Sequence, residues 1–199
     1  MPGIVNETSE IWRGTVLVSR QLLDGTPIAT AELTAQVAAR AAPTIALPDH
    51  IHTPGDPSGE VLVGELDGAR TVHTWIEDVA LGLGPDPIVA TVTPFDDGYR
   101  VEVRARSVAR DVTLLVDRLD PAARVDDALT TLPAGMSATF TVHTTARLTA
   151  AKLTSPLVLR SANDLARSRA VAGPVGDFRH GSAPEADRTR FHGTCSAVT

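Results

Sequence analysis

Between Tyr99 and Arg106 the residue type changes at every step. Tyr99, Val101, Val103 and Ala105 share one parity; Arg100, Glu102, Arg104 and Arg106 share the other. An extended strand sends successive side chains to opposite faces, so this run has one apolar face and one wet face. Val112, Leu114 and Val116 read as a second strand, and Ala138, Phe140 and Val142 as a third. The expected core of this region is Tyr99, Val101, Val103, Val112, Leu114, Val116, Phe140 and Val142. A chain patterned this way must pair its strands into a sheet with one buried side.

The same grammar extends upstream. A strand is expected from Ile11 to Val18. A second runs around Ile28 to Val37, with Ile28, Ala31, Leu33 and Ala35 inward. Short strands follow at Ile45–Leu47, Val61–Leu66 and Val72–Ile76. Asp24-Gly25 and Asp67-Gly68 are tight-turn dipeptides between apolar runs. The loop from Pro48 to Gly59 holds three prolines and two glycines, and so is not a strand. Helix signals are scarce, and the stretch from Ala35 to Ala42 ends at Pro43. Closely spaced short strands favour an all-β sandwich or barrel over a βαβ protein, which needs helices between its strands.

Gly82, Gly84, Pro85 and Pro87 crowd residues 77–87 and suggest a boundary. The expected division is a first β-sandwich at 1–84, a second at 85–147, a closing segment at 148–169 and a disordered tail at 170–199. Ser161 is the expected cap of a short helix to Arg169. The tail carries glycine, proline and charge with few apolar residues, too little to offset chain entropy.

At 43% hydrophobic residues, the 199-residue chain has enough apolar material for one large or two small cores. The net charge of −6 argues against a nucleic-acid partner, which would require a basic surface. Arg100, Arg104 and Arg106 share one strand face and read as solvated surface. Lys152 is the single lysine and Cys195 the single cysteine, so an intrachain disulfide is excluded. Cys195 is expected as an exposed thiol. Residues 1–10 lack a basic start and an apolar core of the signal-peptide kind, and no apolar run is long enough for a membrane helix. A cytoplasmic protein without a membrane partner is the resulting expectation. Asn6-Glu7-Thr8 matches a glycosylation sequon, which carries little weight in that setting.

Several spaced motifs occur in a defined order: Arg110-Asp111-Val112, Asp117-Arg118-Leu119-Asp120-Pro121, Val125-Asp126-Asp127 and Thr131-Leu132-Pro133-Ala134-Gly135. Together they resemble the last immunoglobulin-like domain of β-mannosidases of glycoside hydrolase family 2. Upstream, Trp12, Gly14-Thr15-Val16, Asp24-Gly25 and Pro54-Gly55-Asp56-Pro57 are similar to the segment after the catalytic barrel of those enzymes. Pro156 to Asp164 resembles the segment that closes many of them. Ala128-Leu129 stands where relatives often have an aromatic, and Met136 where they commonly have Glu or Asp.

The resemblance implies two tandem immunoglobulin-like sandwiches that do no chemistry. Relatives are retaining glycosidases, with two glutamates on a (β/α)₈ barrel, and such a barrel needs about 200 residues of alternating strands and helices. This chain has neither, so no catalytic residue is assigned, and no cofactor or metal is expected.

Among the individual candidates, Trp12 and Trp75 are possible sugar platforms, with packing in the core or between domains as the plainer reading. His50 and His52 would share one face if they lay on a strand, as a metal site requires, but no third histidine is near in sequence. Asp126 and Asp127 would point to opposite faces of a strand, which suits a turn better than an acid/base pair. Gly82-Leu83-Gly84 is not a dinucleotide fingerprint.

The leading expectation is an accessory part of a β-mannosidase-like hydrolase of terminal β-mannosides, partnered by a catalytic barrel in cis or as a separate chain. A free-standing carbohydrate-binding module and a protein-interaction scaffold are the alternatives.

Overall fold

The fold is that of a computed structural model, in which residues 3–165 are described. The tail expected at 170–199, Cys195 within it, and the last four residues of the short helix expected from Ser161 to Arg169 lie outside the described residues. Among the described residues, eleven strands and two single-turn α-helices follow one another as β1 (Trp12–Leu22), β2 (Pro27–Val37), α1 (Asp49–His52), β3 (Glu60–Leu66), β4 (Ala69–His73), β5 (Ile88–Phe95), β6 (Gly98–Ala105), β7 (Ala109–Leu114), β8 (Arg124–Val125), β9 (Thr130–Leu132), β10 (Ser137–His143), α2 (Ala150–Leu153) and β11 (Leu159–Arg160). They form three antiparallel sheets, and the chain is all-β as its alternation requires.

The first sheet has the order β2-β1-β3-β4. Even-numbered residues of β1 face inward: Trp12, Val16 and Val18 pack with Val37, Leu62 and Ile51. That face is closed by irregular chain rather than by a second full sheet. Residues 3–6 and 41–44 are joined only at the bridges Gly3↔Thr44 and Asn6↔Ala41. The strand expected at Ile45–Leu47 is absent, although Ile45 and Leu47 still pack on the core. Pro43 and Pro48 flank it and donate no N–H, so the bridge at Thr44 does not extend into a ladder.

Ile28 was expected inward and is instead 41% exposed. Ile28 has the opposite parity to Ala31, Leu33 and Ala35, so alternation along the strand itself sends it to the other face. Arg20 pairs with Ala29 and Gln21 with Pro27, which also leaves Ile28 as the extra residue of a bulge. Asn6 is nearly buried: its amide nitrogen donates to the carbonyls of Glu10, Val37 and Ala38, and its oxygen accepts from Thr8. The sequon asparagine therefore works as a clamp that ties the N-terminal segment to the end of β2.

The second unit is a two-sheet sandwich. One sheet has the order β5-β6-β10-β8 and the other β11-β7-β9. Val101, Val103, Phe140 and Val142 from the first face Val112, Leu114, Leu132 and Leu159 from the second in one core. The expected core residues take these places, with Tyr99 half-buried at the rim. Its hydroxyl accepts from the Leu148 N–H at 2.7 Å and so fixes the chain after β10. Arg100, Glu102, Arg104 and Arg106 are exposed, as their parity requires.

The Asp96-Asp97-Gly98 hairpin joins β5 to β6 with Gly98 at φ 150°, where a Cβ would overlap the Val142 carbonyl. β7 begins at Ala109, earlier than expected, and stops at Leu114. Residues 116–118 form a 3₁₀ turn that still buries Val116.

Candidate functional site: the joint between the two β units

Odd-numbered residues of β1 and β3 point away from the first core, and this outer face of the first sheet meets the second unit. Val61, Leu81, Leu83 and Val108 are buried there, with Leu23, Val63, Val72 and Ile76 packed around them. Full burial of each such side chain stabilises by roughly 1.5–3 kcal/mol, so this small cluster is a substantial tie. Residues 77–87 are thus no open linker. Leu81 and Leu83, spaced for an extended chain, both reach into the cluster between glycines and prolines.

Polar ties surround the apolar ones. The Val108 N–H donates to the Leu23 carbonyl at 2.7 Å, and the Gly82 N–H to the Ser58 carbonyl at 2.9 Å. Arg110 grips Asp78 with two nitrogens, the shorter contact 3.0 Å, in a part-buried ion pair. Asn163 is fully buried. Its oxygen accepts from the Arg110 N–H at 3.0 Å, and its amide nitrogen donates to the carbonyls of Gly84 and Val108. One side chain thereby binds the closing segment to the connector and to the β6–β7 corner, and every polar atom on it is satisfied.

The two tryptophans lie at opposite ends of the first sheet. Trp12 starts β1; its ring covers Gly14, and its indole N–H donates to Asp67 at 3.1 Å. Trp75 follows β4. Its indole N–H donates to the His52 carbonyl at 2.9 Å, and its ring meets His73 edge-on at 5.9 Å. Both rings are half-buried against the first core and do not form a joint platform.

His50 and His52 sit on α1 rather than on a strand, so their spacing places them on different sides of a single turn while Ile51 plugs the core. Among the described residues no group of three His, Cys, Asp or Glu is placed to hold a metal ion. His73 lies below its ordinary pKa because of partial burial, with the nearby His52 charge acting in the same direction.

Asp126 and Asp127 serve the backbone. Asp126 accepts from the Thr141 N–H at 2.8 Å, and Asp127 from the Ala128 N–H at 2.7 Å. Burial pushes the Asp126 carboxyl up, and the hydrogen bonds from Thr141 and the local backbone outweigh it to leave the pKa lowered. Asp24, Asp56 and Asp120 are also lowered, each by hydrogen bonds from residues of its own turn or, for Asp120, first by the Thr144 hydroxyl.

Residues 83–165 match the family model Ig_mannosidase, an Ig-fold domain. The second unit has the Ig fold that this model describes. The fold of the longer chain agrees. It superposes on the crystal structure of a β-D-mannosidase from Dictyoglomus thermophilum with a TM-score of 0.58 and 13% identity, over 80% of this chain and 19% of that one. This chain therefore spans about a fifth of the length of that enzyme. Comparison with curated proteins gives no match.

The motifs that carry the resemblance have an observable task within this Ig-fold unit and at its border. Arg110 and Asn163 hold the joint. Ala134, from the Leu132-Pro133-Ala134-Gly135 run, touches Gly25 of the β1–β2 turn. Sequence reasoning missed the Asp78–Arg110 pair and the Leu81/Leu83 anchor. The i, i+2 spacing of those leucines was the available signal, masked by the neighbouring glycines and prolines.

Proposed function

We propose that this chain is a non-catalytic, accessory part of a β-mannosidase-like glycoside hydrolase of family 2, an enzyme acting on terminal β-mannosides. The observation that carries the reading is the mannosidase-type Ig domain at 83–165, joined to a first sheet within a fold shared with a β-D-mannosidase. The joint supports a mechanical role. Two β units tied by an apolar cluster, an ion pair and a buried asparagine act as one body, able to brace a catalytic barrel and fix the rim of its substrate pocket. The partner in this reading is a (β/α)₈ barrel bearing the acid/base and nucleophile carboxylates, in cis or as a separate chain, in the cytoplasm.

The test is turnover of p-nitrophenyl β-D-mannopyranoside. The purified chain alone should give none. A barrel-containing polypeptide from the same genome should change its kcat/KM when the chain is added. Unchanged kinetics at saturating chain would overturn the accessory role, and turnover by contaminant-free chain alone would overturn its non-catalytic character.

A further inference from the structure

Beside the joint, a cleft of about 180 Å³ opens between the outer face of the first sheet and the turn that links β9 to β10. Its floor is Leu17, Ser19 and Gln21 of β1 with Val63 and Glu65 of β3; the second unit supplies Pro133, Ala134 and Met136 as a wall. The register explains the convergence, since Leu17 pairs with Glu65 and Ser19 with Val63, all on the face that looks toward the second unit. Met136 makes that wall apolar.

The charge balance limits what such a cleft can take. Its one carboxylate, Glu65, is already paired with its one guanidinium, Arg70, at 2.9 Å. No net charge awaits a counter-ion. The Ser19 hydroxyl and the Gln21 amide, by contrast, are half-buried and make no hydrogen bond to any described residue. Gln21 offers two donors and an acceptor, Ser19 a donor and acceptors, and the free oxygen positions of Glu65 further acceptors. Apolar surface from Leu17, Val63 and Met136 lies next to them.

We infer that this cleft is a subsite for a neutral, polyhydroxylated ring, a single pyranose unit of a glycan. The ring's hydroxyls would meet Ser19, Gln21 and Glu65, and its C–H face would rest on Leu17 and Met136. The volume suits one sugar residue, and pockets that orient small ligands combine apolar lining with a few polar groups in this way. This inference stands on the cleft's own chemistry and holds whether or not the chain serves a glycosidase. It also places sugar recognition away from Trp12 and Trp75, whose indole N–H groups are already bonded within the chain.

The experiment is an NMR titration of the full chain with methyl β-D-mannopyranoside, methyl β-D-glucopyranoside and mannotriose, up to about 50 mM, well above the millimolar Kd expected of one small open site. Saturable shifts centred on the amides of Ser19, Gln21, Glu65 and Met136 are expected with at least one of them. Gln21→Ala and Ser19→Ala, each checked for an unchanged fold by its spectrum, should each weaken binding about fivefold, the effect of one lost neutral hydrogen bond. Shifts centred on the Trp12 or Trp75 indoles, unaltered affinity in both variants, or no saturable shift with any of the three sugars would overturn the proposal.

Discussion

Gly25 lies directly against Ala134: a Cβ at Gly25 would stand 2.8 Å from the Cβ of Ala134. The β1–β2 turn of the first unit thus nests into the β9–β10 turn of the second. Gly25 also has φ 90°, a conformation that L side chains rarely adopt. Two short motifs, more than one hundred positions apart, are complementary halves of one contact.

Replacing Gly25 by alanine should therefore cost about 1–3 kcal/mol, from backbone strain and from the clash together. Urea unfolding measures the total. Ala134→Gly in the same background should return the part due to the clash and leave the backbone part. A Gly25→Ala loss within about 0.5 kcal/mol would mean that the turns do not touch.

Phe140→Ala should cost about 3–5 kcal/mol, because the ring is fully buried between the two sheets of the Ig domain. A near-neutral result in a denaturant melt would place Phe140 at the surface and shift the register of β10 by one residue.

Asn163→Ala should cost about 2–4 kcal/mol, since it orphans the Arg110 N–H and the Gly84 and Val108 carbonyls in a buried setting. Asn163→Leu should not rescue it, because shape without hydrogen bonding leaves the same orphans. Hydrogen exchange offers a direct readout: the Arg110 amide should lose protection in both variants. Retained protection at Arg110 would contradict the clamp.

Stability should fall with acid in two limbs. His73 has a folded pKa below its ordinary value of 6.5, so between the two values the unfolded chain binds more protons. Its stabilisation is full above 6.5 and is lost as pH drops through the lowered folded value. Asp24, Asp56, Asp120 and Asp126 have folded values below 3.8, and their share is present above 3.8 and lost as pH falls below it. A melting-temperature profile across pH 3–8, monitored by Trp75 fluorescence beside His73, should show both limbs. His73→Gln should remove the upper limb and keep the lower one; an unchanged profile would contradict the assignment.

Much of the Ig domain was legible because its strands alternate cleanly. Tyr99 to Ala105, Val112 and Leu114, and Phe140 with Val142 each declare their inward face, and a half-buried sandwich leaves no other reading. The first sheet was less legible. Ile28 stands three residues before Ala31, so alternation already places it outward; only the bulge there, set by how Arg20 and Gln21 pair with Ala29 and Pro27, is absent from the periodicity of one strand. Ile45 and Leu47 have strand-like residues but lie between prolines that deny them a ladder. The joint was the least legible, because Asp78–Arg110, Asn163 and Gly25–Ala134 are long-range contacts among residues that individually look like turn and loop positions. His50 and His52 misled for a local reason: a Pro-initiated single turn of helix replaced the strand that their spacing required.

The most direct measurement is sedimentation velocity of the full chain mixed with a barrel-containing glycosidase polypeptide from the same genome. A faster-sedimenting one-to-one complex is expected, accompanied by a higher melting temperature of the barrel. The two components sedimenting independently at micromolar concentrations, with the barrel's melting temperature unmoved, would contradict the claim that this chain is an accessory part of a β-mannosidase-like enzyme.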